Sequence, residues 1–190
     1  ERHASRLQRE HGLTMIPPFD DPHIIAGQGT IGLELLEDLP EIDTVVVPLS
    51  GGGLLSGIAL VLKAADPSIR TIGVSMERAP VMVHSLRAGH PIEMEEEPTL
   101  ADALAGGIGL DNRLTFDMVH DLVDDILLVS EAEIADAIRW MVRHHHKIIE
   151  GAAGVALAAC MKEQERLAGK TVAIVICGAN IAYEKLQKIL

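Results

Sequence analysis

Aromatic side chains are nearly missing from this 190-residue chain, which holds one Trp, one Tyr and two Phe. Its core must therefore be aliphatic, which favours a Val/Ile/Ala-rich parallel sheet covered by helices. Cysteine is equally sparse. Cys160 and Cys177 are too few for a disulfide scaffold and sit in apolar segments, so a reducing cytoplasm is the default compartment. Basic residues number 16 against 28 acids, a formal charge of −12, and no basic patch is segregated. Such a surface repels phosphate backbones and excludes nucleic acid as the expected partner. No apolar run reaches the roughly 18 residues a membrane span needs, and no segment of signal type opens the chain. A membrane association is therefore not expected. Internal repeats and low-complexity linkers are lacking too, and 48% hydrophobic residues suffice for the core of one domain with at most a small appendage.

What is present is organised around Val45-Val46-Val47-Pro48-Leu49-Ser50-Gly51-Gly52-Gly53-Leu54. A β-branched run stops at a serine and three glycines before an apolar helical pattern begins, which predicts strand, tight loop and helix. Glycines allow several N–H groups to converge on one anion at the positive end of the following helix, and a phosphate is the natural guest. The same triplet could equally serve to pack a helix on a sheet. The spacing matches neither G-x-G-x-x-G nor G-x-x-x-x-G-K-[ST], so nucleotide fingerprints are not supported.

Along the chain, residues 1–12 predict the end of a helix capped by Gly12, and residues 13–190 the remaining domain. Leu13 to Ile16 predicts a short strand ended by Pro17-Pro18. Gly27-Gln28-Gly29 predicts a loop, either functional or a spacer, with Thr30 capping a helix. Thr71 to Met76 predicts a second strand, parallel to the first through a βα unit. Glu93 to Glu97 reads as a solvated acidic loop, and Thr99 to Gly109 as backbone close to a ligand or as a packed turn. Asp125 to Val129 predicts another strand, and Ser130 with Glu133 a capping box. His144-His145-His146 does not predict a metal site, because consecutive helical residues point about 100° apart. Glu150 opens an Ala-rich helix, and Thr171 to Ile176 is the last strand. The expected fold is α/β: an open, mostly parallel twisted sheet with helices on both faces. Ligands in such sheets sit beyond the carboxyl ends of the strands. That rule collects Ser50 to Gly53, Glu77 and Cys177-Gly178, with Glu150 and the 102–109 loop as candidates to join.

Several motifs together carry a family resemblance: Ile25-Ala26-Gly27-Gln28-Gly29-Thr30, Val47-Pro48-Leu49-Ser50-Gly51-Gly52-Gly53-Leu54, Leu100-Ala101-Asp102, Leu122-Val123-Asp124-Asp125, Glu150-Gly151-Ala152-Ala153-Gly154 and Cys177-Gly178-Ala179-Asn180. In this order they resemble the carboxyl-terminal half of pyridoxal-phosphate enzymes of fold type II, above all threonine dehydratase and serine racemase. The resemblance implies the large, tryptophan-synthase-β-like domain of that family. Gly106 to Arg113 is most similar to threonine-dehydratase-like proteins of hydroxyectoine utilisation. Ser50, Gly51, Gly52, Gly53 and Leu54 match the loop that binds the cofactor phosphate, and Cys177 matches the position facing the pyridine nitrogen. Glu150 matches a glutamate near the same edge of the ring, or is simply a helix-start acid. Glu77 matches a metal-binding acid of serine-racemase-like members, but Val83 stands where the second acid would be, so no metal site is assigned.

The family's Schiff-base lysine lies in a Ser-x-Lys-x-Arg-Gly context that none of Lys63, Lys147, Lys162, Lys170, Lys185 or Lys188 has. The expectation is thus a fragment that is inactive alone, whose parent is a threonine or serine dehydratase releasing a 2-oxo acid and ammonia. Alternatives are an amino-acid racemase or hydroxyectoine-pathway lyase of the same fold, or a non-catalytic phosphate-ligand binding domain. A small amino-acid substrate and a homo-oligomer of the full-length protein are the partners implied.

Overall fold

A computed structural model describes residues 2–190. The elements in chain order are α1 (Arg2–His11), α2 (Pro22–Asp38), β1 (Thr44–Pro48), α3 (Gly53–Ala65), β2 (Arg70–Met76), α4 (Val81–Ala88), α5 (Thr115–Leu122), β3 (Asp125–Val129), α6 (Glu131–His145), α7 (Gly151–Lys162), α8 (Gln164–Leu167), β4 (Val172–Ile174) and α9 (Tyr183–Ile189). A single 3-10 turn, Asp102–Leu104, interrupts the loop before α5.

The four strands form one parallel sheet in the order β3-β2-β1-β4. Val46 is level with Ile72 on one side and Ile174 on the other, which makes β1 a central strand. Every residue of β1 is buried, as expected for a strand covered on both faces. Its side chains alternate between two cores. Val45 and Val47 join Leu55, Ile58 and Leu62 of α3 with Phe116 and Val119 of α5. Val46 joins Ile72, Val74, Ile134, Ile138 and the alanines of α7 on the other face. Burial of each such valine stabilises the fold by about 1.5–3 kcal/mol, which is why a β-branched run without polar interruption marks the centre of the sheet. Helices cover both faces, as the sequence predicts.

Two local expectations fail. Leu13 to Ile16 forms no strand: Leu13 and Ile16 are 55% and 71% exposed, and no ladder partner lies beside them among the described residues. Pro17 and Pro18 also remove two donors that pairing would need. Gly27-Gln28-Gly29 is not a loop but lies inside α2, which starts eight residues before Thr30 with Asp21 as its N-cap and Pro22 in its first turn. Thr30 sits mid-helix, its hydroxyl donating to the Gly27 carbonyl at 2.8 Å. Gly29 serves a helix crossing: a Cβ on Gly57 of α3 would lie 2.3 Å from the Ile25 carbonyl oxygen and 2.7 Å from the Gly29 nitrogen.

The carboxyl-terminal part follows expectation in its order of elements, but the last strand covers only Val172–Ile174 of the expected Thr171 to Ile176. Ser130 and Glu133 form a full capping box, and Lys162 pairs with Glu133 at 3.1 Å. At the amino ends of β2 and β3, Asp124 accepts from Lys63 Nζ at 2.8 Å and from the Thr71 N–H at 2.7 Å. Burial alone would raise the Asp124 carboxyl, but these donors outweigh it and hold it below its ordinary value of 3.8. Glu133 is likewise lowered from 4.5, its burial outweighed first by the Ser130 N–H and then by Lys162. A carboxyl whose folded pKa is depressed contributes stability that is present above the unfolded value and lost as pH falls through the folded one. The urea midpoint is therefore expected to hold steady from neutrality to about pH 5 and to fall progressively below about pH 4. A midpoint that rises on acidification through this window would contradict these ties.

Candidate functional site

The loop after β1 is shaped by three approaches that only hydrogen at Cα permits. Gly52 has φ +90°, a left-handed conformation, and serves as the N-cap of α3. A Cβ on Gly51 would lie 2.3–2.6 Å from ring carbons of Phe19, and one on Gly53 would meet the Phe19 backbone and Cβ at 2.9–3.1 Å. On the opposite side, Thr115, Val119 and Met82 close to within 3.1–3.2 Å of the Cβ position of Gly52. Held between these walls, Gly51, Gly52 and Gly53 are buried. Their N–H groups and that of Leu54 nevertheless find no acceptor among the described residues. The first hydrogen bond of the helix is made only by Ser56, to the Gly52 carbonyl at 2.8 Å. Buried backbone donors are almost always satisfied, and a row of free ones at a helix start is a seat for an anion.

The residues that carry these amides line a cavity of about 650 Å³. Ser50 to Leu54 and Cys177 line it together, with Phe19, Gln28 and the backbone from Ala103 to Gly107. The late cysteine thus shares one chamber with the glycine bend, although their segments leave the sheet from different strands. No lysine or arginine lines the chamber, so an anion in it depends on backbone donors, the α3 dipole and the side-chain amide of Gln28. The Ser50 hydroxyl does not extend this row, because it donates to the Leu104 carbonyl at 2.9 Å and ties the bend to the 3-10 turn. Glu93 and Glu96, expected only as solvated loop residues, are exposed yet also form part of the wall.

Glu150 lies elsewhere. It lines a neighbouring cavity of about 250 Å³ with Asp102, Asn180 and Lys185. It still reaches the cysteine turn: its N–H donates to the Gly178 carbonyl at 3.2 Å and its Oε2 accepts from the Asn180 N–H at 2.8 Å. Glu77 is exposed and lines neither cavity, its backbone N–H donating to Val129. Sequence reasoning missed Phe19 and Asp20. The Asp20 carboxylate accepts from the N–H groups of Arg113, Leu114 and Thr115 at 2.8, 2.8 and 2.9 Å, capping α5 from a point 93–95 residues away.

The family comparison adds to this geometry. The sequence pattern described as "Pyridoxal-phosphate dependent enzyme" matches residues 1–178. The chain belongs to this pyridoxal-phosphate dependent enzyme family. It is similar to a putative threonine dehydratase of Sinorhizobium fredii, 49% identical over 94% of the chain and 54% of that protein. An L-threonine ammonia-lyase of Thermotoga maritima is 44% identical over 98% of the chain and 46% of its own length. Among solved structures, the processed threonine deaminase isoform 2 of Solanum lycopersicum superposes on the whole chain with a TM-score of 0.91 at 36% identity, over 55% of that protein. The chain thus spans about half the length of the relatives it matches.

For a pyridoxal-phosphate enzyme of this family the chamber is a fit: its free amides match a phosphate monoester, and its glycines, pressed against Phe19 on one side and Thr115, Val119 and Met82 on the other, have no room for a side chain of their own. Desolvation by the surrounding wall and then the charge of Glu150 push the Cys177 thiol above its ordinary value, outweighing the lowering by its own backbone N–H, so it is uncharged near neutrality although the residue remains exposed. Burial pushes the other thiol, Cys160, up to about 11. Exchanging Glu150 for Gln keeps an oxygen for the Asn180 N–H but removes the charge, so Cys177 is expected to titrate at lower pH. Iodoacetamide alkylation followed against pH in a Cys160→Ala background measures this, and an unmoved midpoint would show that the carboxylate does not act on the sulfur.

Proposed function

We propose that the protein to which this chain belongs is a pyridoxal-phosphate-dependent ammonia-lyase that converts a β-hydroxy amino acid such as threonine or serine into a 2-oxo acid and ammonia. The observation that carries this reading is the row of unpaired amides from the buried Gly51, Gly52 and Gly53 to the half-buried Leu54, in residues that line the same chamber as Cys177. The similarity to threonine dehydratases supports the substrate class.

In this reading the amides of Gly51, Gly52, Gly53 and Leu54 bind the cofactor phosphate at the start of α3, whose dipole favours its charge. The bound cofactor supplies a conjugated ring that accepts electron density from the substrate's α-carbon. Cys177 would meet the ring nitrogen as a neutral thiol, which would not hold that nitrogen protonated as a carboxylate would, a setting suited to elimination of a β-hydroxyl. Glu150 holds the 177–180 turn and thereby the sulfur. The nucleophilic lysine belongs to sequence outside this chain, since no lysine here has its setting. Two cysteines, both unpaired thiols, agree with a cytoplasmic protein. No helix among the described residues is long and apolar enough to cross a membrane. The sheet ends on both sides in strands with a single neighbour among the described residues, which supports assembly with further chain, as in a homo-oligomer.

The test is an assay of the complete parent protein with threonine and serine, reading ammonia release against exchange of the α-proton in D2O. Ammonia release at a rate above α-proton return is expected. Exchange without ammonia would identify a racemase, and no ring-derived absorbance after incubation with pyridoxal phosphate would identify a non-catalytic binding domain.

A further inference from the structure

We propose that Phe19 and Asp20 form a clasp that holds the amides of Gly51 to Leu54 in anion-binding geometry, with Asp20 a positioning residue that sets phosphate affinity without lining the chamber. The proposal rests on the phosphate reading of the loop and deepens it.

The clasp is built from three consecutive residues with three different anchors. Phe19 lies against the Cα faces of Gly51 and Gly53, so the loop cannot move toward it. Asp20 holds three N–H groups at the start of α5. Asp21 caps α2, accepting from the His23 N–H at 2.8 Å. Helix α5 is itself the opposite wall of the bend, because its Thr115 and Val119 approach Gly52. Asp20 therefore joins the Phe19 side of the loop to the Thr115 side, closing a ring of contacts around the amides. Burial alone would raise its carboxyl, but the N–H groups of Thr115, Arg113 and Leu114 outweigh burial and hold the group below its ordinary value, so it is charged when the protein is folded near neutrality. Three charge-assisted hydrogen bonds on one carboxylate make a stiff joint. Beyond the Ser50 tie to the Leu104 carbonyl and the Ser56 N–H on the Gly52 carbonyl, the glycines have no side chains of their own to fix the direction of their unpaired amides. An anion site made chiefly of backbone donors gains affinity from being held rigid before the ligand arrives.

The experiment uses the 190-residue chain and two ligands, pyridoxal 5′-phosphate and pyridoxal, which differ only by the phosphate. Binding is followed by titration calorimetry, and the 15N–1H shifts of Gly51 to Leu54 are recorded with and without ligand. In the wild-type chain the phosphate ester is expected to bind more tightly than pyridoxal. Asp20→Ala is expected to weaken the phosphate ester by about tenfold through lost preorganisation, leave pyridoxal unchanged, and shift the free-state signals of Gly51 to Leu54. Asp20→Asn, which keeps one acceptor oxygen, is expected to lie between. Asp20→Asn also serves as the measured variant should Asp20→Ala fail to fold. Equal loss for both ligands, or phosphate-ester affinity unchanged in the Asp20 variants while the wild type discriminates, overturns the clasp alone. A wild-type chain that does not discriminate the two ligands overturns the phosphate reading and the clasp with it.

Discussion

Replacing Gly51 by alanine is expected to abolish phosphate-dependent binding of pyridoxal phosphate to this chain. The new Cβ would lie 2.3 Å from Cδ1 and 2.4 Å from Cγ of Phe19, far inside van der Waals contact. One of two things must then move. If the ring leaves, the loop loses its wall, and if the loop leaves, the amides no longer converge. Either way the preorganised row of donors is lost, and phosphate-ester affinity is expected to fall by more than about tenfold. The overpacking itself costs about 1–3 kcal/mol of stability, so a fold can survive that no longer binds. Calorimetric titration and urea unfolding of the same variant separate the two effects. Unchanged phosphate-ester affinity in a folded Gly51→Ala chain would show that the bend tolerates a side chain and is not a cradle.

The second large effect is on stability and lies outside the chamber. Gly57→Ala puts a methyl group 2.3 Å from the Ile25 carbonyl oxygen, 2.7 Å from the Gly29 nitrogen and 3.0 Å from the Gln28 carbonyl carbon. All three are backbone atoms, so no side-chain rotation relieves the clash and α2 must shift bodily away from α3. Alanine is the better helix former by about 1 kcal/mol, a gain set against an overpacking cost at the upper end of the usual range, about 3 kcal/mol. Net destabilisation by about 2 kcal/mol is therefore expected, read as a lower urea midpoint with an unchanged slope. A higher midpoint would mean that the two helices do not cross this closely.

Both predictions concern glycines, and their contrast shows what the sequence made legible. The triplet at 51–53 announced itself because it follows an uninterrupted valine strand, and a strand, a glycine bend and a helix in that order have few physical meanings. The glycines at 27 and 29 carried the opposite message from the one first read in them. Their smallness suggested flexibility, whereas both lie inside α2, where Gly29 packs against Gly57 and Val61 of α3 and nothing crowds Gly27. Asp21-Pro22 was the signal that could have corrected the reading, since an acid followed by proline is a strong helix start. The capping box at Ser130 and Glu133 was readable because its partners are three residues apart. The capping of α5 by Asp20 was not, because nothing local links an aspartate to amides 93–95 residues further on. Phe19 is hidden for the same reason: its partner is a glycine, which leaves no pattern of hydrophobic pairing.

The placement of Glu150 marks a finer limit. As a helix-start acid it could have faced the chamber or the solvent, and spacing alone did not distinguish them. In the fold it does neither, instead bracketing the turn after Cys177 with one donated and one accepted hydrogen bond. Its influence on the chamber therefore passes through the position and protonation of a sulfur, which is why its test is a thiol titration.

The central claim is that the four amides after β1 receive a phosphate while Cys177 borders the group attached to it. Its most direct test is a 15N–1H correlation spectrum of the chain titrated with pyridoxal 5′-phosphate, with pyridoxal as the control. The account predicts large, saturable shifts of the Gly51, Gly52, Gly53 and Leu54 signals with the phosphate ester only, accompanied by movement of the Cys177 amide with both ligands. Shifts confined to surface residues, or glycine-bend signals that stay still at saturation, would contradict it.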